Sequence, residues 1–284
     1  MTIPIERTFN VNGRMMAARC WHDSSKPPLL ALHGWLDNAA TFDLLAPLLD
    51  CFHIVAVDFA GHGWSEHRAA GTRYHILDHV DDVLSIVNQL GWQQFTVMGH
   101  SMGAGVASLF SSALPERVQK LVMIEGLGPY TGKPEDAAKH LRTALLEWQD
   151  FADKPRVIAT MDIAVQARMN GLLPVSESAS RLLCARGAKT VDGGFMWTAD
   201  KRLRLSSPTR FYEEQVCAFL AAIQAPTLLI MAEKTLPFNV GDYQKRMAAH
   251  QHLTLVKLEG GHHLHIDDNV SGVTTTVRQF LQAS

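Results

Sequence analysis

Apolar residues in this chain fall into short continuous runs and longer periodic stripes, separated by turn residues. Residues 6–12 and 14–22 alternate around Asn12-Gly13, and an Asn-Gly pair between two such runs predicts an antiparallel hairpin. Lys26-Pro27-Pro28 breaks the chain before Leu29-Leu30-Ala31-Leu32, a run of the doubly buried strand type, and His53-Ile54-Val55-Ala56-Val57 is another. Between them, 41–49 reads as a short helix. Over 74–90 the apolar positions Ile76, Leu77, Val80, Val83, Leu84, Val87 and Leu90 follow the 3.6-residue period of an amphipathic helix, closed by Gly91. The pattern then predicts a strand at 95–98, a helix at 102–114 and a strand at 118–124.

From Leu127 to Pro208 the rhythm changes. No clear apolar strand is visible there; helical pieces are interrupted by Pro129, Pro134, Pro155, Gly171, Pro174 and Gly193-Gly194. Alternation resumes with a strand at 226–231, a helix at 238–249, a strand at 253–258 and a last helix at 270–281. Strands alternating with helices at this spacing predict right-handed crossovers and a mostly parallel sheet, hence an α/β fold. The expected division is a core of residues 1–126 and 209–284 with a helical cap of 127–208 lying over it.

Composition narrows the function classes. With 284 residues, 47% of them hydrophobic, the chain can bury a large core. A net charge of −2 and no run of Lys and Arg argue against nucleic acid as a partner. Cys20, Cys51, Cys184 and Cys217 lack Cys-x-x-Cys spacing and read as thiols of a reducing compartment. The first residues carry no apolar leader core. The uncharged stretches 96–115 and 216–232 contain Gly99, Gly103, Gly105 and Pro226, so each divides into a strand and a helix and neither is a membrane span. The expectation is a cytoplasmic monomer or homodimer acting on a small molecule.

The chemistry centres on Gly99-His100-Ser101-Met102-Gly103, a G-x-S-x-G sequence directly after a strand and directly before a helix. On such a sharp turn the serine hydroxyl is pushed out to solvent, and the helix N-terminus favours negative charge forming beside it. A serine hydroxyl needs a base within hydrogen-bond reach. Gly261-His262-His263-Leu264-His265 follows the 253–258 strand, at the sheet edge where ligands of open α/β folds bind, and His262, His263 and His265 are candidates. Their spacing, without nearby Cys or carboxylate ligands, is not a zinc set.

His33-Gly34-Trp35, Asp58-x-x-Gly61-x-Gly63-x-Ser65, the Ser101 turn and Gly261-His262, in this order and at strand ends, resemble the α/β-hydrolase superfamily over nearly the whole chain. Within it the sequence looks most like the serine hydrolase-like proteins, relatives of haloalkane dehalogenases and epoxide hydrolases. Those two relatives carry aspartate where this chain has Ser101, which argues against both of their chemistries. The resemblance implies an eight-stranded sheet with a helical cap after the sixth strand. It selects His262, directly after glycine, as the base. The family's usual aspartate position falls on Thr235, leaving Glu125, at the end of the 118–124 strand, as the favoured acid and Glu233 as the alternative.

The resemblance also assigns the oxyanion-hole N–H groups to Met102 and Trp35. His33, Trp35, His100, Tyr130 and Trp148 are the expected pocket residues, His33 also as a brace of its loop, while Asp58, Gly61, Gly63 and Ser65 shape a turn. The implied activity is hydrolysis of short to medium acyl esters through an acyl-enzyme, with no metal or organic cofactor. The same triad on C–C bonds, lactones, thioesters or in perhydrolysis is the alternative within the enzyme class. A catalytically retired fold that binds a ligand is the alternative outside it.

Overall fold

A computed structural model describes residues 3–234 and 240–283. It opens with the expected hairpin: β1 (Ile5–Val11) pairs antiparallel with β2 (Arg14–Trp21) through a turn in which Asn12 and Gly13 take φ of 53° and 80°. These are the left-handed values that an Asn-Gly turn supplies at low cost. Then follow β3 (Pro28–Leu32), β4 (His53–Val57), α1 (Ile76–Gln89), β5 (Phe95–His100), α2 (Met102–Ala113) and β6 (Val118–Ile124). The segment between β6 and the next core strand carries α3 (Ala137–Gln149), α4 (Met161–Met169), α5 (Glu177–Gly187), β7 (Ala188–Val191) and β8 (Gly194–Trp197). The core resumes with α6 (Glu213–Ala222), β9 (Thr227–Ala232), α7 (Val240–Ala249), β10 (Leu253–Leu258) and α8 (Val270–Gln282).

Eight strands form one sheet in the order β1-β2-β4-β3-β5-β6-β9-β10, antiparallel at β1-β2-β4 and parallel from β4 onward. Alternate residues of the central strands serve opposite faces. Leu30, Leu32, Val97, Leu121 and Met123 pack with Val83, Val87, Val106, Phe110 and Leu220 of α1, α2 and α6. Leu29, Ala31, Met98, Val122 and Ile124 pack with Phe42, Leu45, Val273 and Val277 on the other side. A strand covered on both faces has no polar side to display, which is why these runs are continuously apolar rather than alternating.

Two expectations need correction. Residues 41–49 form no α-helix: short 3₁₀ turns span Ala39–Phe42 and Ala46–Leu48, the first capped by the Asn38 side chain and the second beginning around Pro47. Residues 127–208, read as helical pieces without a clear strand, also contain a separate antiparallel hairpin of β7 and β8 across Asp192-Gly193. Its strands are four residues long and mostly part-exposed or exposed, and the apolar run Phe195-Met196-Trp197 is too short to mark a strand by itself. Thr235 and the first residues of the expected 238–249 helix lie outside the described residues. Among the described residues no helix is long and apolar enough to cross a membrane.

Candidate active site

Ser101 sits between β5 and α2 with φ 52° and ψ −114°, a strained conformation for a residue bearing a β-carbon. The surroundings hold it there. Its N–H donates to the Ile124 carbonyl at 2.9 Å, and its carbonyl accepts from the N–H groups of Ala104 and Gly105 at 3.0 and 3.2 Å. The turn is tight enough that a β-carbon on Gly103 would collide with the Leu32 carbonyl, and one on Gly99 with the Gly103 backbone. Gly103→Ala should therefore cost about 2–3 kcal/mol of stability by overpacking, read as a lower melting temperature; an unchanged melt would mean that the turn can open.

Glu125 follows β6, with φ 53°, fully buried. Its N–H donates to the Ile230 carbonyl at 2.9 Å, and its Oε1 accepts the Ala232 N–H at 2.5 Å. Its Oε2 lies 3.1 Å from Nδ1 of His262, so an Nδ1–H tautomer donates to the carboxylate and leaves Nε2 as the basic nitrogen. His262 is 8% exposed, and its Nε2 makes no hydrogen bond among the described residues. Ser101, partly exposed, follows β5, the strand next to the one that Glu125 follows. The chain beyond Glu125 passes directly behind Ser101: a β-carbon on Gly126 would lie 2.7 Å from the Ser101 carbonyl oxygen. Glu233, by contrast, is exposed, and its N–H donates to the Leu258 carbonyl at 2.8 Å. Of the two candidate acids, only Glu125 meets the imidazole.

The remaining histidines are braces. His33 is fully buried: Nε2 accepts the Phe59 N–H at 3.0 Å, and Nδ1 donates to the Gly34 carbonyl at 2.7 Å. Burial pushes its imidazole down to about 4, so it stays neutral. His100, also fully buried, donates Nε2–H to the His262 carbonyl at 2.9 Å and thereby fixes the loop that carries His262. Burial, and then the adjacent imidazoles of His265, His262 and His263, hold it well below its ordinary value. Neither ring has a surface to offer a substrate, which corrects their expected place as pocket residues. His265 turns away to Thr41, with 2.8 Å between Nε2 and Oγ1. The N–H groups of Met102 and Trp35 make no backbone hydrogen bond among the described residues.

Asp37, Arg168 and Arg186 were not singled out by motif reasoning. Asp37 Oδ2 accepts from His263 Nε2 at 3.1 Å, and Arg168 of α4 reaches Asp37 Oδ1 at 2.5 Å. Asp37, His100 and His263 bring donor atoms within 4.8 Å of one another, and the Arg168 guanidinium lies against the same carboxylate. Arg186 of α5, fully buried, donates Nε to both Asp58 oxygens at 2.8 and 3.1 Å and Nη1 to Glu6 at 2.8 and 3.0 Å. Asp58 also accepts the N–H groups of Ala39 and Trp64 at 2.7 and 2.8 Å, which is how it shapes its turn. The signal in the sequence was faint: each is one charged residue whose partner lies more than a hundred positions away.

The expected pocket aromatics are dispersed. Trp35 is 38% exposed and ties its loop to the cap by donating Nε1–H to the Leu203 carbonyl at 2.9 Å. Tyr130 is 73% exposed beneath the Arg210 guanidinium. Trp148 stacks with Arg73 at 4.4 Å in a cleft of about 570 Å³ that Arg14, Arg68 and His75 also line and that contains none of Ser101, Glu125 and His262.

Residues 27–269 match the family described as alpha/beta hydrolase fold. A serine hydrolase-like protein of Danio rerio is 32% identical over 278 residues, covering 94% of this chain and 85% of that protein. Among solved structures, a hypothetical protein from Pseudomonas aeruginosa PAO1 superposes with a TM-score of 0.91 at 38% identity, covering 98% of this chain and 99% of that one. A thioesterase domain from the curacin biosynthetic pathway superposes with a TM-score of 0.86 at 25% identity, covering 97% and 99% of the two chains.

Proposed function

The chain belongs to the α/β-hydrolase fold family, and on that premise we propose that it is a serine hydrolase cleaving carboxylic esters of short to medium acyl chains through an acyl-enzyme. The observation that carries this reading is the buried Glu125–His262 pair at 3.1 Å, on the same sheet edge as a strained Ser101. His262 Nε2 takes the Ser101 proton as Oγ attacks the acyl carbon, and Glu125 stabilises the imidazolium through Nδ1–H. The tetrahedral oxyanion is held by the N–H groups of Met102 and Trp35; loss of one such donor typically costs about 3–4 kcal/mol of barrier. His262 then protonates the leaving alcohol, and water reverses the sequence to release the acid.

The likeness to a thioesterase domain supports thioesters as a second substrate class for the same steps, because a thiolate is a better leaving group than an alkoxide. A retired fold that only binds a ligand is the contrasting reading. A fluorophosphonate probe followed by p-nitrophenyl esters from acetate to dodecanoate and the matching acyl-cysteamine thioesters tests all three. Covalent labelling at Ser101 with turnover peaking at short or medium chains is the expected result. Turnover confined to acyl-cysteamine thioesters moves the second class forward; no labelling and no turnover favours the retired fold.

A further inference from the structure

Arg168 reaches from α4 of the cap into the wall of the site. Its Nη1 donates to the Leu173 carbonyl at 3.3 Å, and its Nη2 lies 2.5 Å from Asp37 Oδ1 and 3.2 Å from His263 Nε2. Asp37 is 3% exposed and lies in the Trp35 loop, with its Oδ2 on His263 Nε2 at 3.1 Å and 3.8 Å from His100 Nδ1. His263 follows His262 in the chain, their ring centroids 5.2 Å apart. Two aspartate oxygens thus face a permanent cation and an imidazole that can carry charge or not.

We propose that Arg168 is a positioning residue: its guanidinium shares the buried Asp37 carboxylate with His263, so that its loss would leave that negative charge facing the ring next to His262, and its place on α4 makes the seating of that helix a condition of the arrangement. The inference rests on the serine-hydrolase reading of the site. Its physical reason is like-charge repulsion. When His262 takes the proton from Ser101 it becomes a cation, and a second cation on the next ring would oppose that step. Burial would lift the Asp37 carboxyl, but the His263 imidazole and the Arg168 guanidinium hold it well below the usual carboxylate range. An ionised, buried Asp37 that lost Arg168 would have only imidazoles to balance it, and His263 is in direct contact. The other groups facing His263 are His262 and His265 on its own loop, with ring centroids 5.2 and 6.2 Å away, and His100 from the end of β5 at 5.0 Å. None of these supplies a permanent positive charge in place of Arg168.

The test is an NMR titration of the histidine Cε1–H signals, with His263 assigned by its loss in His263→Gln. Arg168→Gln should raise the His263 midpoint by about one pH unit or more, the ordinary effect of an uncompensated opposite charge within hydrogen-bond distance. Arg168→Lys should leave it near the wild-type value. The Asp37→Asn/Arg168→Gln double variant should bring it back. The acid limb of kcat/KM should move to higher pH with the His263 midpoint in Arg168→Gln, through kcat rather than KM. An unchanged midpoint in Arg168→Gln overturns the proposal, as does a raised midpoint that persists in the double variant. Should Arg168→Gln not fold, Asp37→Asn alone must lower the midpoint below that of Arg168→Lys, and equal midpoints overturn the proposal. The titration needs no turnover, so a wild type inert on every ester and thioester would sink the hydrolase reading while the charge arrangement is judged separately.

Discussion

Ser101→Ala is expected to lower kcat/KM on p-nitrophenyl esters by about a thousandfold or more while the protein still folds. Alanine keeps the β-carbon and the backbone bonds from Ser101 to Ile124, Ala104 and Gly105, so the strained turn is retained and only the nucleophile is lost. Glu125→Gln keeps the shape of the acid but removes its charge from His262, and the expected loss is about a hundredfold or more, mainly in kcat. Glu233→Gln, at an exposed position, should change turnover little. The comparison is diagnostic because the two glutamates end adjacent strands of the sheet yet differ in burial. Turnover unaffected by Ser101→Ala would remove the acyl-enzyme altogether.

The second large effect is acid unfolding. His33, His62, His79, His100, His250 and His265 are all at most 3% exposed. Burial pushes His33 and His250 down to about 4 and His62 and His265 to about 3, and holds His79 and His100 well below their ordinary value. The folded values lie below the unfolded value near 6.5, so below that pH the unfolded chain binds more protons. Stability is therefore complete above about pH 6.5 and falls as pH drops toward the folded values. Each of the fully buried rings His33, His62, His79, His100 and His265 removes about 1.4 kcal/mol per pH unit in that window, so even three of them remove about 4 kcal/mol over one pH unit, against a typical total of about 5–15 kcal/mol.

Thermal melts from pH 7 to pH 4 should show the melting temperature dropping steeply below about pH 6, with unfolding at room temperature before pH 4. His62 packs edge-on against His33 and near His79, and His62→Gln should make the slope shallower by about one proton. A melting temperature flat down to pH 4.5 would mean that these rings find water or partners on protonation.

Much of this was legible in the chain. The doubly buried strands announced a parallel sheet, because each needed apolar residues at every position. The Ser101 turn was legible because glycine is the only residue that fits positions 99 and 103, and that requirement is local. Glu125 and His262 were legible as members of a short list, through their places at strand ends. The β7–β8 hairpin escaped because its strands are only four residues long and Phe195-Met196-Trp197 is too short an apolar run to tell a strand from a piece of helix.

What the sequence by itself determined is the set of local necessities: strand runs, the amphipathic α1, the Asn12-Gly13 turn and the glycines of the elbow. These follow from backbone sterics and from the periodicity of burial, both of which act over a few residues. The tertiary structure alone decided which glutamate meets His262, that His100 holds the His262 loop, and that Arg168 and Arg186 tie α4 and α5 to Asp37 and Asp58. Those choices are polar contacts between residues up to 162 positions apart, and the strength of such a contact depends on separation and burial in space, which spacing along the chain does not encode.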